Sequence, residues 1–432
     1  MAMVVKNNMS AISTLNTLNK NSSALSKSLQ KVSSGMKINS AADDASGYAI
    51  SERMRVQIRG LDQANSNTQN GSSMMKVAEG AVSSTVDILK TLKEKVINAA
   101  NDTNTDSDRL TIQKELDQSI DQINDNANVT FNGKYLVDGS HNKSVKQTFT
   151  HMTNESLGAT TTETTKLTEL TNRNGESLNI HDTDKVTVSY VMQGKTYTTT
   201  MSCKDLELKT LVEDGTDNKL AIANTDSNIG LDASSTQQFT PDGGSAITLK
   251  AAASGVAGQV SGFTISITDA NGNINKSANA VLDNFSETIR AQNASADNSI
   301  VLQVGTKANQ AIKVGLTDMR SEALGLSGAD GTTLNISTQA KANAAINVLD
   351  NAVQKALDQQ TTIGSVQSRL EYTSSNLTTA SENVQSAEST IRDADMAKEM
   401  TNYTKNNVLL QAAQSMLAQA NQSSSSVLSL LQ

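Results

Sequence analysis

Residue types that could do chemistry are few and scattered in this chain. His141, His151 and His181 lie in or beside a Ser/Thr/Gly-rich middle stretch. No HExxH and no Cys–His spacing would bring two of them to one metal. Cys203 is alone, which excludes an internal disulfide framework, and a small core filler is favoured over a reactive thiol. Asp269, Asn271 and Asn273 in TDANGNIN have the outline of a calcium loop. Counting from Asp269, however, the glycine falls two positions early and the twelfth position is Ala280, not an acid. A tight Asn-Gly hairpin turn accounts for the pattern. No phosphate loop and no Ser/His/Asp arrangement is discernible. The expectation is a chain with no catalytic residue, no cofactor and no metal.

The strong patterning is apolar, and it sits at the two ends. Leu15, Leu18, Ser22, Leu25, Leu29, Val32 and Met36 step by alternating threes and fours. Val366, Leu370, Thr373, Leu377, Ala380, Val384, Ala387, Ile391 and Ala394 do the same near the other end. Helices with this spacing carry a narrow seam that must be buried against another helix. The simplest partner for each seam is the other, giving a hairpin whose tips are the termini and whose middle is an insertion. That shape suits assembly more than catalysis.

Composition narrows the classes further. A length of 432 residues allows two to four domains. The net charge of −8 and the absence of a basic block argue against nucleic acid, whose phosphates need clustered Lys and Arg. No run approaches the roughly 18–20 apolar residues of a membrane span, and no membrane partner is expected. The start, MAMVVKNNMSAIS, lacks the apolar core of a cleavable signal peptide, so any export is expected by another route. One proline, Pro241, leaves the end helices free to run long.

Along the chain, residues 4–34 read as one helix ended by Gly35. Asp43 and Asp44 are placed to cap a second helix that runs to about residue 100. At about 1.5 Å per residue that helix would be about 80 Å long, a rod. Its latter half carries the seam Ala78, Val82, Thr85, Leu89, Leu92, Val96 and Ala99. Thr105 or Asp106 caps a third helix with Leu116, Ile120, Ile123 and Ala127 inward. From 141 to 298 the pattern turns to short alternating runs, a β insert expected to fold separately. DKVTVSYVMQ and GKTYTTTMS read as a hairpin around Gly194 with Val186, Val188 and Tyr190 on one face, and GFTISITDANGNI as a further strand and turn. SIVLQVGTKANQAIKVGL returns as a strand pair, and DMRSEALGL leads back toward helix. A long helix from about 338 carries Ile346, Leu349, Val353, Leu357 and Ile363. The fold class is mainly α: a long antiparallel helical rod, coiled-coil-like at its termini, with a helical bundle, a small β-hairpin and a β-rich inserted outer domain.

Several motifs, in order, carry a resemblance to a known family. VSSGMKINSAADDASGYAISERM at 32–54, AEGAV at 78–82 and FNGKYLVDGS at 131–140 resemble the N-terminal region of bacterial flagellin. LQVG at 302–305, ALGL at 323–326, IRDADMAKEMTNYTKNNVLLQAA at 391–413 and MLAQANQSSSSVLSLL at 416–431 resemble its C-terminal region. The likeness covers about 1–140 and 299–432; the insert has no counterpart. Met36 and Lys37 stand where the family often has Leu-Arg, and Ser424 and Ser425 where it has Pro-Gln.

The resemblance implies a motility filament subunit with no enzymatic activity, exported unfolded by the flagellar type III route into the extracellular filament. It implies five segments: an N-terminal filament-core helix and linker (1–44), a helical shell domain in two parts (45–140 and 299–392), the variable outer domain (141–298) and a C-terminal core helix (393–432). Implied partners are further copies of the chain in an open helical homopolymer, an export chaperone and export gate, and filament cap and hook-junction proteins. The filament-core interface would use Leu15, Leu18, Leu25, Leu29, Val32, Leu409, Met416, Leu417, Val427, Leu428, Leu430 and Leu431. Terminal helices without a partner for their stripe should fray, so folding and assembly become one event. The resemblance also implies contact with the innate receptor Toll-like receptor 5 through Leu89, Thr91, Lys93, Glu94 and Glu115. Thr91 stands where the family's central arginine would be, and Lys95 replaces a leucine, which predicts weak agonism. Two alternatives are a hook–filament junction protein and an adhesin or secreted enzyme on a helical stalk. The first is disfavoured by the co-occurrence of AEGAV, FNGKYLVDG and MLAQAN, the second by the absence of a binding or catalytic constellation in 141–298.

Overall fold

The computed structural model describes residues 8–212 and 246–430, with strand backbone alone between them at 220–225, 228–231 and 237–239, and side chains as far as Gln422. In chain order the elements begin with helices α1 (Met9–Ser34), α2 (Ala45–Ala100) and α3 (Asp106–Ala127), then the short strands β1 (Thr130–Phe131) and β2 (Lys134–Tyr135). The strand-rich middle follows: β3 (His151–Asn154), β4 (Lys185–Met192), β5 (Lys195–Ser202), β6 (Leu220–Thr225), β7 (Asn228–Leu231), β8 (Gln237–Phe239), β9 (Ala246–Ala251) and β10 (Val260–Thr268). Helix α4 (Lys276–Leu282), strands β11 (Ser286–Ile289), β12 (Ile300–Gln303) and β13 (Ala311–Val314), and the long helices α5 (Gln339–Arg392) and α6 (Met396–Leu430) complete it. Two compact units result. The first takes the described residues within Met1–Thr68, Gln303–Gln310 and Tyr372–Gln432; the second takes Gln69–Leu302 and Ala311–Glu371.

Local chemistry sets the helix ends. Asn8 Oδ1 accepts from the Ala11 amide at the start of α1. Gly35 ends it in the left-handed region at φ +71°, its amide bonded to the Lys31 carbonyl. Of the two aspartates expected to cap α2, only Asp44 does so, accepting from the Ser46 and Gly47 amides. Asp43 instead closes the preceding turn, accepting from the Asn39 and Ser40 amides and the Ser40 hydroxyl. Thr105 and Asp108 form a reciprocal capping box on α3. The next residue, Arg109, is buried: Nε donates to the Ala99 carbonyl and Nη2 to the Asn101 carbonyl. A cation thus meets the negative end of α2.

In the second unit α3 folds back along α2, as the pairs Lys95–Glu115 and Asn126–Ser84 record. The α2 seam expected from Ala78 to Ala99 is buried throughout, as are Leu116, Ile120, Ile123 and Ala127 of α3. On α5 the inward line differs from expectation. Leu349 and Ile363 are buried, but Ile346 and Val353 are half-buried and Leu357 is 37% exposed. The buried line runs Ala342, Ala345, Leu349, Ala352, Ala356, Gln359 and Ile363. Alanine supplies four of these positions, and spacing keyed to large apolar residues misses them. DMRSEALGL also departs from expectation: it makes turns, not helix. Gly325 takes φ +80°, and Leu326 bonds back to the Ser321 carbonyl, while Leu324 and Leu326 are buried.

The insert carries a three-stranded antiparallel sheet in the order β10-β4-β5 and a four-stranded one in the order β11-β3-β9-β6. Val186, Val188, Phe263, Ile265, Ile267, Met152 and Leu249 share one core with Cys203, and Tyr190 packs against it. The insert does not close on itself alone. Asn347 and Asn351 of α5 donate to the Phe263 and Ser261 carbonyls of β10 at 3.1 and 2.8 Å. Gly262 permits this approach, since a Cβ there would lie 2.8 Å from Val348 Cγ2. Pro241 lies outside the described residues.

The β4–β5 hairpin turns through Gln193 and Gly194, both at positive φ, as a two-residue turn requires. A Cβ on Gly194 would stand 2.5 Å from the Thr332 carbonyl oxygen, whereas Gly331, at similar φ, faces open space. Gly194→Ala is therefore expected to cost roughly 1–3 kcal/mol, from left-handed strain plus the clash. Gly331→Ala should lose only the strain, about 1 kcal/mol. The two urea-unfolding midpoints, compared at equal slope, check the difference.

Candidate assembly interface

In the first unit α1 and α6 lie side by side and antiparallel. Asn8 Nδ2 donates to the Ala420 carbonyl at 3.1 Å, Asn21 Nδ2 to Leu409 O at 3.3 Å and Asn406 Nδ2 to Ser28 Oγ at 3.1 Å. Three amide side chains fix the register of two helices from opposite ends of the chain. The covered line of α1 is Ala11, Thr14, Leu18, Asn21, Leu25 and Ser28; that of α6 includes Asn406, Leu410, Ala413, Leu417 and Ala420.

The expected interface residues divide between two faces. Leu18, Leu25, Val32 and Leu417 are half-buried, on or beside the covered lines. Leu15, Leu29, Leu409 and Met416 are 42–63% exposed, and Met9, Ile12, Met396, Met400 and Val408 are exposed with them. The partner of α1 is therefore α6 and not the 366–394 seam expected from spacing, whose Leu377, Ala380 and Val384 pack on Leu61 and Ala64 of α2 instead. The α1–α6 pair covers part of the α1 seam and leaves a second set of large apolar side chains in water. Val427, Leu428 and Leu430 belong to α6, but their side chains lie outside the described residues, as does the whole of Leu431. Scattered single apolar residues are normal on a surface; here nine large ones are exposed among the described residues of two adjoining helices.

Between the helix pair and the rest of the unit, the two passes of chain are clamped together. Met36 bridges Asp393, the Lys37 amide donates to the Arg392 carbonyl at 2.6 Å, and the Ala394 amide to the Gly35 carbonyl at 2.9 Å. Arg392, only 6% exposed, holds the joint. Its Nη1 donates to Glu52 Oε1 at 2.7 Å, its Nε contacts Met36 Sδ at 3.2 Å, and its plane lies 5.5 Å from the Tyr48 ring. The guanidinium bond lowers the Glu52 pKa. Asp395 then caps α6, accepting from the Ala397 and Lys398 amides. Residue-by-residue reading did not single out Arg392. The signal was there: IRDAD is an arginine flanked by capping residues where the apolar repeat stops.

The residues expected to meet a receptor are not equally available. Leu89 is fully buried in the α2 seam, so its side chain cannot touch a partner. Thr91 is exposed, with its hydroxyl donating to the Asp87 carbonyl at 3.0 Å. Lys93 pairs with Asp350 and Glu115 with Lys95, while Glu94 is exposed.

Neither chemical candidate gains a site. Cys203 is buried, and burial pushes its thiol pKa up to about 11. The Asp269 carboxylate is taken by its own turn, accepting from the Asn271 and Asn273 amides and from Asn273 Nδ2. Among the described residues no group of three or more His, Cys, Asp or Glu could hold a metal ion, and no helix is long and apolar enough to cross a membrane.

Arg392→Ala removes the shorter of two charge-assisted bonds to Glu52 Oε1, leaving that from Arg55 at 3.2 Å. Hydrogen exchange at the Lys37 amide should then rise by roughly tenfold or more. Arg392→Lys should recover only part, because an ammonium cannot both bond Glu52 and stack on Tyr48.

The family model for the bacterial flagellin N-terminal helical region matches residues 5–142, and that for the C-terminal helical region matches 346–431. A flagellin of Clostridium tyrobutyricum is 34% identical over 97% of this chain and 99% of its own. The flagellin of Bacillus subtilis (strain 168) is 30% identical over 99% of this chain and 100% of its own. Polar flagellin A of Vibrio parahaemolyticus is 30% identical over the full length of both. Both family regions fall on the ends whose helices pair, and relatives of this identity span the whole length: the chain belongs to the bacterial flagellins.

Proposed function

We propose that this flagellin polymerises into an open helical filament through the exposed apolar residues of α1 and α6, and that it carries no enzymatic activity. The observation that supports this is the division of faces: the helix pair leaves Leu15, Leu29, Leu409 and Met416 in water. A fully buried Leu returns about 1.5–3 kcal/mol, so stacking copies in a tube repays the ordering of the end helices. Contacts whose rotation does not close on itself yield a filament and not a ring. The same marginal ends suit export in an unfolded state by the type III route, with an export chaperone and export gate as partners. In the extracellular filament, further copies, a cap and hook-junction proteins would adjoin it.

A second reading concerns Toll-like receptor 5. Weak agonism is favoured because Thr91 offers a short hydroxyl bonded to its own helix, and because Lys93 and Glu115 are engaged in ion pairs.

Two experiments test these readings. Electron microscopy and sedimentation of the full chain on filament seeds should show elongation. A chain lacking 1–43 and 393–432 should remain a folded monomer, and equal polymerisation of that shortened chain would refute the interface. For the receptor, Thr91→Arg is expected to raise potency at least about tenfold in a reporter-cell dose curve, the scale of one arginine hot spot. Equal potency would sink that reading.

A further inference from the structure

Methionine is distributed unevenly over this molecule. Met75, Met152 and Met319 are almost fully buried, and Met74 is buried too. Among the described residues, the exposed methionines are Met9, Met396, Met400 and Met416, at 42–69% exposure, and all four stand on α1 or α6. On those helices they make up four of the nine exposed large apolar side chains, the others being Ile12, Leu15, Leu29, Val408 and Leu409. The end helices therefore present the most exposed thioethers of the described residues where a partner copy is to be seated; Met36, Met54, Met192 and Met201 are half-buried and the others buried.

We propose that these four methionines are an oxidation site that gates polymerisation, with a hydroperoxide as the oxidant. In the reaction the thioether sulfur attacks the outer peroxide oxygen. An S=O bond forms and the O–O bond breaks; sulfur is oxidised by two electrons and the peroxide is reduced to water or an alcohol. The product replaces a flexible apolar side chain with a polar one whose oxygen demands a hydrogen bond. Buried in a subunit contact without that bond, it opposes assembly. Cys203 does not compete, being buried with its thiol held protonated. The gate acts on the free subunit: once copies are stacked, the same sulfurs are covered. This rests on the filament reading above.

The test treats full-length monomer and seed-grown filament with hydrogen peroxide and maps the added oxygen by peptide mass spectrometry. In the monomer the four sites should oxidise at least about tenfold faster than Met75, Met152 and Met319, following exposure. In the filament they should slow toward the buried rate. Oxidised monomer should elongate on seeds at least about tenfold more slowly, and sulfoxide reductases with a thiol reductant should restore it. The variant carrying M9L, M396L, M400L and M416L keeps volume and apolarity and should elongate equally before and after peroxide. Normal elongation of monomer bearing all four sulfoxides overturns the gate, as does unchanged oxidation at these sites in the filament. Failure of untreated wild type to elongate on seeds would instead refute the filament reading, and the monomer map would still decide whether the four sulfurs are selectively reactive. Reductase rescue decides the gate independently of whether the leucine variant folds.

Discussion

An amphipathic helix in water persists only where its apolar stripe finds a surface, and the end helices of this flagellin find one in each other. The surface is thin. Leu18, Leu25, Leu410 and Leu417 are only half covered, and alanine, threonine, serine and asparagine fill the rest of the contact. Such a seam supplies register more than energy: the asparagine-to-carbonyl bonds specify which turn faces which, while little apolar area is removed from water. The remaining apolar groups therefore stay outside the pair. Everything at the ends follows from this, including a narrow contact within the chain and a larger demand for contact beyond it.

The second unit solves its packing differently. There the α2 seam is fully buried, and α5 buries a line rich in alanine. The insert is tied to α5 by the amides of Asn347 and Asn351, by the close approach of Gly262 to Val348, and by the Arg290–Asp358 ion pair at 2.8 Å. Side-chain amides thereby occupy carbonyls on the outer edge of β10, an edge that would otherwise invite another strand. The apolar core of the insert is built by its own strands, with Met152, Val186, Phe263 and Leu249 among its members.

Much of this was legible from spacing. The seam of α2, the inward face of α3, the Gly35 stop and the β4–β5 hairpin all follow from periodicity of 3.6 or 2 and from glycine and capping residues. The misses share a cause. Size and spacing place Leu357 inward, yet Ala352 and Ala356 lie deeper, and hydropathy gives alanine too little weight to reveal it. Leu15 and Leu29 step in register with Leu18 and Leu25, so spacing alone could not tell the face that pairs within the chain from the face left free. Arg109 and Arg392 were invisible for another reason. Periodicity counts apolar residues, whereas these two act by filling helix-end and loop carbonyls or carboxylates brought from elsewhere in the chain.

The bond from Asn8 to Ala420 spans 412 positions of sequence. Closing a flexible loop of that length would cost on the order of 5 kcal/mol in chain entropy, more than so thin a seam can return. The antiparallel run of α2 and α5 changes the arithmetic. Once Asp62 meets Ser381, the open loop shortens from 412 positions to the 54 from Asn8 to Asp62 plus the 39 from Ser381 to Ala420, which takes about 1.3 kcal/mol off that cost. Pairing of the two end helices is thus easier after α2 and α5 have met, whatever the order in which the polypeptide is made.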